Sequence, residues 1–262
     1  MRCLVAILVT AALPLGGQIR DVVKSAEIDK LFRAATPSFA ALTKNNYAVV
    51  FRTVSGEGSG EQKQRDADEF WFVRNGSAEI SVNGKKHKVG QGDVLNIPRT
   101  APYRIAPAPE RFEYVAVRVF PEKRHLRIGI GAAPEPHPMP EVVTKAQIDA
   151  TFASAEKNVL LHSAGAVLIN HVIYKGTHGP WEVHQTCDDL YFLRLGAARA
   201  QLDGRLVNGK EDPPGEIRGT GVTGAREFTV APGDMVVVPR NTAHFMDPGT
   251  GKLGYLLVKI CD

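Results

Sequence analysis

Glu182, His184, Asp189 and His244 are the residues of this chain whose types and spacing suit a metal ion. Glu182 and His184 stand two apart in G-THGPW-E-V-H, so on a strand their side chains share one face while Val183 points to the other. Asp189 heads the strand-favouring run Leu190-Tyr191-Phe192-Leu193, and a hairpin through Gln185 to Asp188 would fold it back beside His184. His244 arrives after a Gly233-Asp234 turn, the apolar run Met235 to Val238 and the segment Pro239-Arg240-Asn241-Thr242-Ala243. Two carboxylates in one small cavity repel, and a divalent cation held by two oxygens and two imidazole nitrogens offsets that repulsion. Such mixed ligation suits manganese, iron, nickel or zinc alike. Two other arrangements stay open: a metal-free network in which His184 or His244 is protonated, and a two-His, one-carboxylate set of His184, Asp189 and His244 with Glu182 turned to solvent. Glu182 and Asp189 are the candidate bases, and Tyr191, on Asp189's face, joins them as a catalytic candidate.

The elements that must carry these residues occur twice. Ile28 and Phe32, on an amphipathic helix expected over Val22 to Ala35, recur 120 positions later as Ile148 and Phe152 on a helix expected over Val142 to Ala155. In the second helix, Thr144 and Gln147 form a capping box. The offset of 120 holds for Gly56/Gly176, Gln62/Glu182, Gln64/His184, Glu69/Asp189, Gly76/Gly196 and Gly84/Gly204. It then becomes 141, pairing Gly92/Gly233, Pro98/Pro239, Tyr103/His244 and Tyr114/Tyr255, so the second copy carries an insertion of 21 residues. The chain reads as an internal duplication. Short strands are expected in the first copy over Tyr47 to Val54, Glu69 to Arg74, Ala78 to Val82, Val94 to Ile97 and Phe112 to Phe120, an all-β pattern of barrel or jelly-roll type. The insertion, with Pro213-Pro214-Gly215, is expected to be a long loop. Gln62, Gln64 and Tyr103 are poor ligands, which assigns metal binding to the second copy. Arg74 and Arg194 fall on the parity opposite to the ligands, which suits a surface or an interface.

These spacings resemble the two motifs of the cupins. Gly176, Glu182-x-His184, Asp189 and Gly196 follow the first, and Gly233, Pro239, Asn241 and His244 follow the second. Glu182 stands where His is usual, Asp189 where Glu is, Asn241 for Gly and Pro248 for the final Asn. The resemblance implies two double-stranded β-helix barrels, one divalent metal ion per chain in the C-terminal barrel, and a small-molecule substrate or ligand. Cupins include dioxygenases, isomerases, lyases, hydrolases and decarboxylases. They also include non-catalytic sugar-binding and storage proteins, so two readings follow: a metal-dependent enzyme, or a binder with a structural ion.

At 262 residues and a formal charge of +4 with no Lys/Arg run, the chain is globular and not a nucleic-acid binder. Arg2, the apolar stretch Leu4 to Leu13 and Gly16-Gly17 read as a signal peptide, which places the protein in a periplasm or the medium with no membrane partner after cleavage. The expected division is 1–17 signal peptide, 18–125 N-terminal barrel without metal, 126–141 proline-rich linker and 142–262 metal-binding barrel. Cys187 and Cys261 then form a disulfide or leave Cys187 at the cavity mouth. The oligomeric state stays open, with a homodimer among the allowed forms.

Overall fold

The structure is a computed structural model that describes residues 21–33, 41–44, 47–120, 142–154, 158–163, 166–174 and 180–261. The expected signal peptide and the whole of the linker lie outside the described residues, as do Gly176 and His178. No helix among the described residues is long and apolar enough to cross a membrane.

Each copy folds into two facing sheets, the all-β jelly roll its strand pattern implies. In the second copy the strands Cys187–Leu195, Lys252–Cys261, Ala166–Tyr174 and Asn158–Ser163 form one sheet with Met235–Val238. The facing sheet runs Lys210–Glu211, Glu216–Gly219, Trp181–His184, His244–Asp247, Ala198–Leu202 and Arg226–Val230. The first copy matches, with Asp68–Asn75, Ala108–Val119, Tyr47–Gly56, Ala41–Lys44 and Val94–Ile97 in the larger sheet. Gln62–Lys63, Pro102–Ile105, Ser77–Val82 and Lys85–Gly90 face it.

Two expectations are corrected here. Trp181–His184 and Cys187–Leu195 are not a hairpin: they belong to opposite sheets, and Asp189 reaches His184 across the barrel interior. The insertion is not a loop. Glu216–Gly219 pairs with Trp181–His184, Lys210–Glu211 pairs with Glu216–Gly219, and Arg205–Val207 pairs with Gly221–Thr223. An unpaired edge at Trp181–His184 would leave backbone donors and acceptors open, and the insertion fills it.

The helices are Ser25–Arg33 and Lys145–Ser154, shorter than expected at their starts because Val22–Val23 and Val142–Val143 are strands. Those strands cross over. Val22–Val23 pairs with Met235–Val238 of the second barrel, and Val142–Val143 pairs with Val94–Ile97 of the first. Helix starts cross over as well: Ser25 donates its backbone N–H to Asp234 Oδ1 at 2.8 Å, and Lys145 donates its own to Asp93 Oδ1 at 2.6 Å. The Thr144–Gln147 capping box forms, with Thr144 N–H donating to Gln147 Oε1 at 2.8 Å.

Alternation along the strands then builds three cores. Tyr191, Leu193, Val236, Val238, Tyr255 and Leu257 fill the second barrel, and Val50, Trp71, Ile97, Tyr103 and Tyr114 fill the first. The opposite faces meet between the barrels, where Phe72 stacks on Phe192 at 3.9 Å and Ile28, Phe32, Ile148 and Phe152 seal the edges. Because the larger sheets are buried on both faces, their strands read as nearly continuous apolar runs. Arg74 and Arg194, as their parity suggests, face the partner barrel.

Candidate metal centre

The site is assembled across the second barrel. On the smaller sheet, Glu182 and His244 are cross-strand partners, and so are His184 and Glu216. On the larger sheet, Asp189 lies opposite Lys259. Side chains two apart on Trp181–His184 point inward together, so one carboxylate and one imidazole from that strand meet the imidazole of His244. One ligand atom each from Glu182, His184 and His244 falls within 4.8 Å of the others. Glu182 Oε1 stands 3.8 Å from His184 Nε2 and 3.4 Å from His244 Nε2.

Asp189 closes the cluster from behind. Its Oδ2 is 3.2 Å from His184 Nε2 and 4.0 Å from His244 Nε2, while its Oδ1 is 3.4 Å from Lys259 Nζ. The Tyr191 hydroxyl donates to Asp189 Oδ2 at 3.2 Å. All four ligand candidates and Tyr191 therefore share the cavity. Glu182 keeps 29 % side-chain exposure and marks the mouth, whereas Asp189 is 1 % exposed.

Two functional residues escaped the sequence. Glu216, from the insertion, places Oε1 at 3.4 Å from His184 Nδ1 and is itself held by Arg218 at 3.1 Å. Lys259 is a lysine buried at 5 % exposure in an otherwise apolar strand. A signal existed for each. Lys259 interrupts the run Leu256-Leu257-Val258-Lys259-Ile260, and the offset of 141 pairs it with Arg118. Glu216 sits in alternation with Arg218 just after the Pro-Pro-Gly turn.

Electrostatics decide what the cluster can hold. Glu182, Asp189 and Glu216 bring three carboxylates together, while Lys259 faces Asp189 at 3.4 Å and Arg218 pairs with Glu216 at 3.1 Å, so with neutral imidazoles the cluster carries one excess negative charge. Burial opposes ionisation of Glu182, but His244, His184 and Lys259 outweigh it and hold its carboxyl down at about 2. Burial likewise opposes ionisation of Asp189, and Lys259 and His184 again prevail and keep it far below the usual carboxylate range. Burial pulls His184 down, but Asp189 and Glu216 raise it to about 9. Burial pushes the Tyr191 phenol well above its ordinary value, aided by Asp189, so Tyr191 stays a donor.

Whether a divalent ion suits this set can be read from the unpaired atoms. His244 Nδ1 lies 3.2 Å from the Thr242 carbonyl oxygen, and its Nε2 faces Glu182 and Asp189. That Nε2 is buried without a hydrogen-bond partner, as is Asp189 Oδ1. A dication matches the orphaned ligand atom and the negative charge that remains once His184 has given up its proton.

Residues 49–118 match the model of the Cupin domain family. That match lies on the first barrel, while the ligand cluster lies in the second. No curated protein matches the chain. Among solved structures, a salicylate 1,2-dioxygenase from Pseudaminobacter salicylatoxidans superposes with a TM-score of 0.65 at 12 % identity, over 91 % of this chain and 83 % of that one. A Cupin 2 conserved barrel domain protein from Leptotrichia buccalis gives 0.61 at 13 % identity, over 94 % and 98 %. An oxalate decarboxylase from Lactobacillus farciminis, in a formate complex, gives 0.53 at 12 % identity, over 94 % and 87 %. The first barrel matches the cupin family in sequence, and the whole chain has the fold of two-barrel cupin structures. At these identities the solved structures establish the fold of the two cupin barrels and leave the reaction to the residues.

The first barrel has no matching cluster among the described residues. Tyr103 donates to Gln62 Oε1 at 2.6 Å and Gln64 Nε2 donates to Tyr103 at 3.3 Å, so the positions that carry ligands in the second barrel are bonded to one another. Among the described residues no other histidine joins the cluster. His171, for instance, pairs its Nδ1 with the Tyr255 hydroxyl at 2.8 Å, as a satisfied core residue does.

The cysteines also settle into place. Cys187 and Cys261 are cross-strand partners with a Cα–Cα distance of 4.0 Å and form a disulfide. The bond ties the strand of Asp189 to the strand of Lys259, and Cys187 is a strand residue rather than part of the mouth.

Proposed function

We propose that the second barrel is a metal-dependent enzyme site acting on a small polar substrate, with one divalent ion held by Glu182, His184 and His244. The convergence of these three side chains within 4.8 Å, with a buried and unpaired His244 Nε2, is the observation that carries this reading. When bound, the ion supplies Lewis acidity toward a substrate oxygen. The protein's residues do the rest. Glu182, the most exposed of the three ligands, is the carboxylate a substrate meets first, and it could accept a proton only where the ion leaves it free. Asp189 is anchored by Lys259 and Tyr191 and serves to hold His184. Tyr191 keeps that carboxylate in place as a donor and does not act as a base.

The rival reading, a binder with a structural ion, draws on Asp189. If its Oδ2 joins as a fourth donor, protein atoms close a tetrahedral shell and leave no position for substrate. The two are separated by water proton relaxation on the manganese-loaded protein, since exchangeable water at the ion supports the enzyme and its absence supports the binder.

Metal analysis of purified protein, after loading with manganese, iron, nickel or zinc in turn, tests the site itself. His184→Ala and His244→Ala should each lose the ion while Gln64→Ala retains it. A double variant lacking both histidines that still carries one ion per chain would place the site elsewhere. A turnover screen of hydroxy and keto acids, with gentisate included because the salicylate dioxygenase was also solved with it, then addresses the substrate. The reading further includes an exported chain arisen by internal duplication, with the barrels divided at 18–125 and 142–262. Mass spectrometry of native protein checks export, which an intact Met1 would refute.

A further inference from the structure

Away from the ligand cluster, a cleft of about 860 Å³ opens between the barrels. It is lined from both sides by equivalent parts of the two copies. Arg74 of the first barrel donates to the Gly233 carbonyl of the second at 3.3 Å, and Arg194 of the second donates to the Gly92 carbonyl of the first. Gly92 and Gly233 both adopt positive φ, at 95° and 90°, and a Cβ on either would strike the cleft's own cations. On Gly233 it would lie 2.7 Å from Arg74 Nη1, and on Gly92 2.8 Å from Lys145 Cδ.

The two arginines are not equally compensated. Arg74 has Asp29 Oδ1 at 3.1 Å. Arg194 has no carboxylate in ion-pair range among the described residues, and its one recorded acceptor is the Gly92 carbonyl, although guanidinium carries five donors. Arg33 and Lys145 add positive charge to the lining. Of the nearby carboxylates, Glu113 is bound to Arg111 at 2.5 Å and Asp149 to Lys145, while Asp93 accepts the Lys145 backbone N–H. Burial lowers the pKa of Arg194, with Arg74 adding to the fall against the pull of Asp149 and Asp93. A guanidinium half removed from water without a counter-charge is a costly arrangement that an anion would offset.

We propose that this inter-barrel cleft is a binding site for a small oxyanion, of the phosphate or short dicarboxylate class, held chiefly by Arg194 with Arg74 alongside. Arginine suits the task because its planar fork meets two oxygens at once. The site sits on the seam that the crossed strands Val22–Val23 and Val142–Val143 hold shut, so an occupant would bridge the copies.

The full chain, stripped of metal by a chelator, tests this by thermal unfolding and calorimetric titration with inorganic phosphate and with succinate. Chloride is used to hold ionic strength constant. A saturable rise in Tm with one or both anions is expected, and whichever responds identifies the source of the oxyanion. Arg194→Gln should weaken that binding at least tenfold, and Arg194→Lys, which keeps the charge and guards against misfolding, should weaken it less. His184→Ala should bind the anion as the parent does, which separates this site from the metal centre. No saturable response beyond chloride, or an unchanged response in both Arg194 variants, would overturn the proposal.

Discussion

Loading the second barrel with a divalent ion should expel about one proton per ion at neutral pH, and His184 is its source. In the metal-free protein, Asp189 and Glu216 hold the His184 imidazole up at about 9, against the opposing effect of burial. At pH 7 the ring is therefore almost fully protonated, and an ion reaching Nε2 must displace that proton. Glu182, held down at about 2, and Asp189, lower still, are already ionised and release nothing. Displacement weakens apparent affinity about tenfold for each pH unit below 9. Binding should thus tighten about tenfold between pH 7 and pH 8. Calorimetric titration of zinc into apo protein in two buffers of different ionisation enthalpy counts the protons directly. Asp189→Asn removes the main charge supporting the imidazolium and should lower the count at pH 7, while Gln64→Ala should leave it at one. An apparent affinity that does not change between pH 7 and pH 8, with no buffer dependence of the heat, would refute the reasoning, because His184 would then be neutral or not a ligand.

The remaining expectations concern parts outside the ligand triad. Glu216→Gln removes the carboxylate beside His184 Nδ1 and should weaken metal affinity roughly 10-fold or more while leaving the fold intact; titration with a competing chelator measures it, and unchanged affinity would make the insertion irrelevant to the centre. Reducing the Cys187–Cys261 bond, which spans 74 positions, should lower stability by about 4 kcal/mol on chain-entropy grounds, seen as a lower urea midpoint with dithiothreitol. An unchanged midpoint would argue that the two thiols are not joined.

What could be read from the sequence follows from which physical signals are periodic. The helices announced themselves through Ile28 and Phe32 and their copies, because one apolar stripe per helix must face a core. The ligand residues were legible because two apart on a strand means one face, and that rule held for Glu182 and His184. Pairing was harder to see. Val22–Val23 and Val142–Val143 fit either barrel equally well as sequence, and only the three-dimensional fit of the helix starts onto Asp234 and Asp93 decides that they cross over. A two-residue gap at Gln185-Thr186 looks like a hairpin and is in fact a corner between sheets, because strand alternation records faces and not partners. The insertion misled through its prolines and glycines, which mark turns just as well when short strands lie between them. Glu216 went unnoticed for that reason, and Lys259 because an apolar strand conceals a single charge whose partner lies across the sheet.

The contrast between the barrels turns on that concealed cation. At the position of Lys259 the first barrel has Arg118, whose Nε lies 2.9 Å from Glu69 Oε1 and whose Nη2 donates to Gln64 Oε1 at 2.8 Å. The other oxygen of Glu69 accepts from Trp71 Nε1 at 2.6 Å. The amides of Gln62 and Gln64 add no charge, and Arg118 together with Arg52, which lies close to Glu69 and hydrogen-bonds Tyr114, sets cationic groups against the one carboxylate where the second barrel has imidazoles. In the second barrel Lys259 faces Asp189 and Arg218 pairs with Glu216, which leaves Glu182 against the imidazoles of His184 and His244. The same pair of sheets, with lysine for arginine and histidine for glutamine, changes from an interior without imidazoles into one where two imidazoles and a carboxylate converge as a dication requires.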